Sequence, residues 1–161
     1  MPVPVPGWVR ALCASLVLSL FLVPGSVAGA TAPVELPPQE VAPGEVTLEL
    51  ILRLPPGWQL TPDAPQSVRL TSQNPAVVAL TPLAAAALGR TRFPLHLPLL
   101  ARPGNTTLSL DLLFNLCRQD QTGMCLIRES RLRLPVTVAE GASSRTLRAV
   151  LELNLPGVGL P

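Results

Sequence analysis

The sequence predicts an all-β fold, an antiparallel β-sandwich of about seven short strands. Three observations carry this. Apolar residues recur at every second position through several stretches, most plainly Glu45–Leu54, Thr106–Cys117 and Leu126–Val138, which is the period of a half-buried strand. Clusters of Pro and Gly such as Pro55-Pro56-Gly57 and Arg102-Pro103-Gly104-Asn105 end those stretches at short intervals, as turns do. Beyond the N-terminus no segment has sustained helical periodicity, and no internal repeat is evident.

Residues 1–30 read as a signal peptide. Arg10 is followed by an apolar run from Ala11 to Val23, broken by Pro24-Gly25, and Ala28-Gly29-Ala30 fits a small-residue cleavage site. The run is shorter than the roughly 20 residues of a membrane-spanning helix; an uncleaved anchor is the alternative. Cys13 lies in this run without a small residue before it, so it does not read as a lipid-attachment cysteine and would leave with the leader. Residues 31–44 (TAPVELPPQEVAPG) form a Pro-rich linker.

The domain proper is placed at 45–155. Its first strand, Glu45–Leu54, turns Val46, Leu48, Leu50, Leu52 and Leu54 to one face. Trp58–Pro65 reads as a loop, Gln66–Thr71 as a strand with Val68 and Leu70 inward, and Val77–Leu80 as a short strand. The alanines of Pro82–Gly89 weakly favour a helical turn over a loop. In Thr91–Leu99, Phe93, Leu95, Leu97 and Leu99 share one face, while Pro94 and Pro98 direct their missing N–H groups to one lateral side. That makes this an edge or bulged strand. Thr106–Cys117 carries Leu108, Leu110, Leu112, Phe114 and Leu116 inward; Leu126–Val138 carries Leu132, Leu134, Val136 and Val138; Arg145–Leu155 carries Leu147, Ala149, Leu151, Leu153 and Leu155. Residues 156–161 read as a loose tail. This spacing of strands and turns is that of an immunoglobulin-like sandwich.

Composition narrows the function classes. The 161 residues hold 12 Lys+Arg, all of them Arg, against 10 Asp+Glu. Loss of Arg10 with the leader takes the net charge from +2 to +1. With no basic tract, nucleic-acid binding is not expected. No cofactor and no metal are expected either: His96 is the only histidine, far in sequence from the cysteines, and reads as an exposed strand residue. Asp63 and Asp120 read as turn formers. Ser143-Ser144 sits in a polar loop without a nucleophile-elbow pattern. Asn105-Thr106-Thr107 matches a glycosylation sequon of low specificity. Trp58, beside a strand end, reads as a cap on the core rather than as a binding aromatic.

Cys117 and Cys125 are the pair that remains once the leader is gone, with residues 118–124 between them. An exported chain with one pair of cysteines suggests an oxidising compartment, periplasmic or extracellular. Across an antiparallel hairpin the two can face each other at disulfide distance. Such a bond closes a short loop and stabilises a fold by about 2–3 kcal/mol in the chain-entropy account, so a structural staple in a non-catalytic interaction domain is one reading. Parity supports another. Cys117 alternates with the leucines and shares its side with Ser109, Asp111 and Asn115, and Cys125 shares parity with Arg131 and Arg133. Both sulfurs then lie off the core near a loop tip, where a partner thiolate can reach them. Of the loop neighbours, Arg118 favours a thiolate at Cys117 and Asp120 opposes it.

The stretch LCRQDQTGMCLIRESRLRLPVTV resembles the cysteine hairpin of the N-terminal periplasmic domain of the thiol:disulfide interchange protein DsbD. There an immunoglobulin-like sandwich carries two cysteines around a short Gly-containing loop. LRLPPGWQLTPDAP is similar to the matching strand and loop in the C-terminal β-domain of NHL-repeat thioredoxin-like proteins. Together the resemblances cover Glu45–Val138. They imply that Cys117 and Cys125 form a redox-active disulfide that exchanges electrons with a thioredoxin-like or other thiol–disulfide protein partner, Cys125 being attacked first. The loop between the cysteines is longer than the family's. The family's membrane segment and thioredoxin domain have no counterpart in this sequence, no membrane span is expected in the mature chain, and the aromatic loop that shields the family's disulfide is not assigned.

Overall fold

The computed structural model describes residues 32–61, 64–88, 92–119 and 123–155. The leader with Cys13, the tail at 156–161, and the two loop acids Asp63 and Asp120 lie outside the described residues.

Within them the chain is mostly strand. β1 (Val34–Glu35) and β2 (Gln39–Val41) come first, then β3 (Gly44–Arg53), β4 (Trp58–Leu60), β5 (Ser67–Ser72) and β6 (Val78–Leu80). A short helix α1 (Pro82–Leu88) leads to β7 (Leu95–Ala101). The long hairpin of β8 (Gly104–Arg118) and β9 (Cys125–Val138) is followed by β10 (Thr146–Glu152). Two mixed sheets result. In one, β8 is flanked by β9 on one side and by β4 and β5 on the other, and β1 and β2 add to β9. The other runs β10-β3-β7-β6.

The period-two leucines explain why these strands pair. Leu108, Leu110, Phe114 and Leu116 of β8, Leu132 and Leu134 of β9, Leu48 of β3, Leu97 and Leu99 of β7, and Leu147 of β10 lose all solvent contact in one apolar cluster contributed by both sheets. Full burial of each such side chain is worth about 1.5–3 kcal/mol. Phe93 meets Phe114 edge to face, with ring centroids 5.6 Å apart, the arrangement that aromatic quadrupoles favour.

Several sequence expectations need correction. The pairing is not purely antiparallel: β10 runs parallel to β3, and β1 and β2 run parallel to β9. The Pro-rich segment is not merely a linker. Between its prolines, Val34–Glu35 and Gln39–Val41 find partners on β9, where Leu36 N–H also donates to the Arg133 carbonyl at 2.8 Å. The stretch read as a loop from Trp58 begins with a strand, because Trp58, Gln59 and Leu60 pair with Arg118, Cys117 and Leu116. β7 is an edge only in its first half. β3 pairs along its length and β6 covers Leu99–Ala101. On the β6 side Pro98 turns its carbonyl to the Thr81 hydroxyl, 2.7 Å away, so its missing N–H costs no ladder bond, as the proline parity required. The helical option for Pro82–Gly89 holds over Pro82–Leu88.

Candidate functional site

The β8–β9 hairpin positions the cysteines. Its ladder runs without a slip from Gly104↔Val138 to Cys117↔Cys125. The last pair is bonded, with S–S 2.06 Å and Cα atoms 4.1 Å apart. Arg118 N–H donates to the Met124 carbonyl at 2.8 Å just beyond it. Cys117↔Cys125 is therefore a non-hydrogen-bonded pair, the kind in which Cα atoms approach most closely.

Alternation sets the face. Leu116 and Leu132 enter the core, so Cys117 and Cys125 stand on the outer face of their sheet. Cys125 is exposed and Cys117 is half-buried. The disulfide and the off-core placement follow the sequence parity.

The rest of the site comes from the β4–β5 connection. The Thr61 hydroxyl lies 3.1 Å from Cys117 Sγ; a disulfide sulfur has no proton, so the hydroxyl donates. Thr61 is held by its own N–H to the Asn115 carbonyl at 2.9 Å. Gln66 locks the loop further. Its amide donates to the Thr61 carbonyl at 3.2 Å and the Asn115 carbonyl at 3.3 Å, and its Oε1 accepts from Asn115 N–H at 3.0 Å. The Asn115 side-chain amide donates to the Pro65 carbonyl. Thr61, Ala64, Asn115 and Ile127 line a cleft of about 260 Å³ that opens onto the two sulfurs. Gln59 stands opposite Cys117 on β4, and Gln119 Nε2 donates to its Oε1 at 2.9 Å.

Arg118 stands opposite Trp58 in the ladder, so alternation sends its side chain to the other face from Cys117. Trp58 is 5% exposed and packs in the core cluster, as its strand-end position suggested. His96 is exposed, 3.7 Å from Glu49, which also pairs with Arg148 at 2.9 Å. On the outer face below the cysteines, Asp111 binds Arg131 and holds its guanidinium pKa above the ordinary value, by the hydrogen bond first and by charge second.

Sequence reasoning missed Thr61 and Gln66, and gave Asn115 no more than a place on the Cys117 face. Thr61 and Cys117 are 56 positions apart, and only the β4–β8 pairing joins them. Among the described residues there is no group of three or more His, Cys, Asp or Glu able to hold a metal ion, and no helix is long and apolar enough to cross a membrane. No protein-family model matches the chain, and no curated protein is detectably similar to it.

Proposed function

We propose that this chain is an exported thiol–disulfide exchange module in which Cys117 and Cys125 cycle between disulfide and dithiol. The observation that carries the reading is where the bond stands: on the outer sheet face, with Cys125 exposed, beside a cleft. A partner thiolate attacks Cys125 Sγ, the Cys117–Cys125 bond breaks, and Cys117 leaves as a thiolate. A second partner thiol then displaces Cys125 from the mixed disulfide. The partner ends oxidised by two electrons and the pair reduced; the reverse direction retraces these steps. The Thr61 hydroxyl serves the leaving sulfur, since a donor to a thiolate stabilises it.

The same proposal takes the domain as an immunoglobulin-like sandwich like the N-terminal domain of DsbD, with a thioredoxin-like or other thiol–disulfide protein as its partner. Two sheets over one apolar core and the long β8–β9 hairpin with the cysteines at its tip support that likeness; the three parallel pairings are departures from an all-antiparallel plan. The leader-like residues 1–30 and a disulfide that needs an oxidising compartment support export.

A second reading, a non-catalytic interaction domain with a structural disulfide, is favoured by one observation. The cysteines are directly opposed where the ladder ends, a position suited to stapling a hairpin. The reduction potential decides. Equilibration against thiol buffers of graded potential gives a value in the range of thioredoxin-type partners for an exchanger, about −270 to −120 mV, and below about −300 mV for a staple.

A further inference from the structure

We propose that the open edge of β9 from Cys125 to Glu129 docks an extended, cysteine-bearing segment of a protein partner as an added strand. The segment's thiolate then approaches in line with the Cys117–Cys125 bond. This rests on the exchange reading above and names how the partner is held.

The edge follows from the hydrogen-bond pattern. Opposite Ile127 on β8, Asn115 sends its N–H to Gln66 and its carbonyl to Thr61 N–H, both away from β9. Asn115↔Ile127 is thus a non-hydrogen-bonded pair, and Ile127 must direct its own N–H and C=O away from β8. The same parity holds for Cys125 and Glu129. Four residues on, the Arg133 carbonyl points to that outer side and is taken by Leu36 N–H, the residue after β1. From Cys125 through Glu129 no strand among the described residues pairs with this side. The chain therefore presents a row of backbone donors and acceptors beside its disulfide, the template for strand addition.

The sulfur geometry selects the same side. Displacement at sulfur needs the incoming, central and leaving sulfurs nearly collinear. Gln59, Cys117 and Cys125 form one row across β4, β8 and β9 on one face. Attack on Cys117 along this row has to come over β4, where Gln59 holds the next position and the Thr61 hydroxyl already lies 3.1 Å from Cys117 Sγ. Attack on Cys125 comes from beyond β9, over the open edge. In an antiparallel added strand, the residue opposite Cys125 exchanges both backbone bonds with it at a Cα separation of about 5.5 Å, within the span of disulfides. A cysteine there carries its sulfur on the same face as Cys125.

The edge also describes the segment. Ile127 is 67% exposed and Met124 47% exposed, so apolar residues near the partner's cysteine, one of them two places from it and opposite Ile127, match the surface.

The test uses the oxidised full chain and a reduced threonine–valine peptide with one central cysteine. Mixed-disulfide formation is followed by acid quench and mass spectrometry, with dithiothreitol reduction as the reference. N-methylation of the peptide two places from its cysteine, where N–H groups face β9, slows formation at least about tenfold; methylation one place away, where they face outward, does not. On the protein, Ile127→Pro removes an edge donor without touching the ladder to β8, as the native Pro135 at the same parity shows is tolerated. It lowers the ratio of peptide rate to dithiothreitol rate about tenfold relative to Ile127→Ala. Equal rates for all the peptides, with dithiothreitol still reducing the pair, overturn the docking edge and leave exchange standing. A pair that neither reagent reduces at moderate potential removes both. The methylated peptides decide the matter on the unaltered chain should Ile127→Pro not fold.

Discussion

Thr61, the residue after β4, and Cys117 of β8 are joined by a hydrogen bond of 3.1 Å from hydroxyl to sulfur. The bond matters most once reduced Cys117 has given up its proton, because a charge-assisted donor to a thiolate is worth more than one to a neutral sulfur. Thr61→Val, which keeps the shape and removes the hydroxyl, therefore destabilises the reduced state relative to the disulfide. We expect the reduction potential to fall by about 30 mV, the equivalent of about 1.4 kcal/mol. The shift should widen as pH rises through the ordinary thiol range near about 8.5, because only the thiolate gains the full benefit. Thr61→Ser should restore the potential. A potential that stays put in the valine variant at both pH 7 and pH 9 would remove Thr61 from the redox chemistry.

Gln66 acts one step further out. Its amide holds both Thr61 and Asn115 through three hydrogen bonds, each worth about 1 kcal/mol net. Gln66→Ala should loosen the β4–β5 connection without exposing the core. Amide exchange at Thr61 and Ala64 should speed markedly, and the potential should move in the same direction as in Thr61→Val, by less. If exchange quickens while the potential is unmoved, the loop is latched for reasons unrelated to the sulfurs.

The parts of the fold that the sequence disclosed are those with sustained local periodicity. The leucine stripe of β8 by itself places Cys117 off the core, because parity along one strand is a local property. β4 escaped because three residues cannot display a period. β1 and β2 escaped because Pro33, Pro37 and Pro38 disguise residues whose strand character comes only from docking beside Leu132 to Val138. The parallel β10–β3 pairing joins residues about a hundred positions apart, and nothing in either strand states which neighbour it will take. The site divides in the same way. The cysteine pair was legible from spacing and parity, whereas Thr61 meets Cys117, and Gln66 meets Thr61, only through tertiary pairing.

Gly104 tests the turn that starts the cysteine hairpin. Its φ of +141° lies outside the range that L side chains readily adopt, and a Cβ there would stand 2.8 Å from Val77 Cγ2. Gly104→Ala should destabilise the fold by about 1–3 kcal/mol from backbone strain with the contact added. Trimming Val77→Ala in the same chain relieves the contact and not the dihedral, so the double variant should recover only part of the loss attributable to Gly104. Urea melts of the four chains in this cycle measure the coupling; full additivity of the two single losses would show that the contact contributes nothing.

Removing both sulfurs separates the bond's mechanical role from its chemical one. Cys117→Ala with Cys125→Ala leaves the apolar cluster and the Gly104–Arg118 ladder intact, because neither cysteine belongs to the buried core. The variant should remain folded with a β-sheet circular dichroism spectrum and lose about 2–3 kcal/mol of stability, the entropic value of so short a loop. The wild-type chain treated with dithiothreitol should show the same loss and the same spectrum. A reduced chain that unfolds outright at room temperature would mean that the bond is indispensable to the domain, and a pair that must stay closed for the fold to persist could not shuttle electrons.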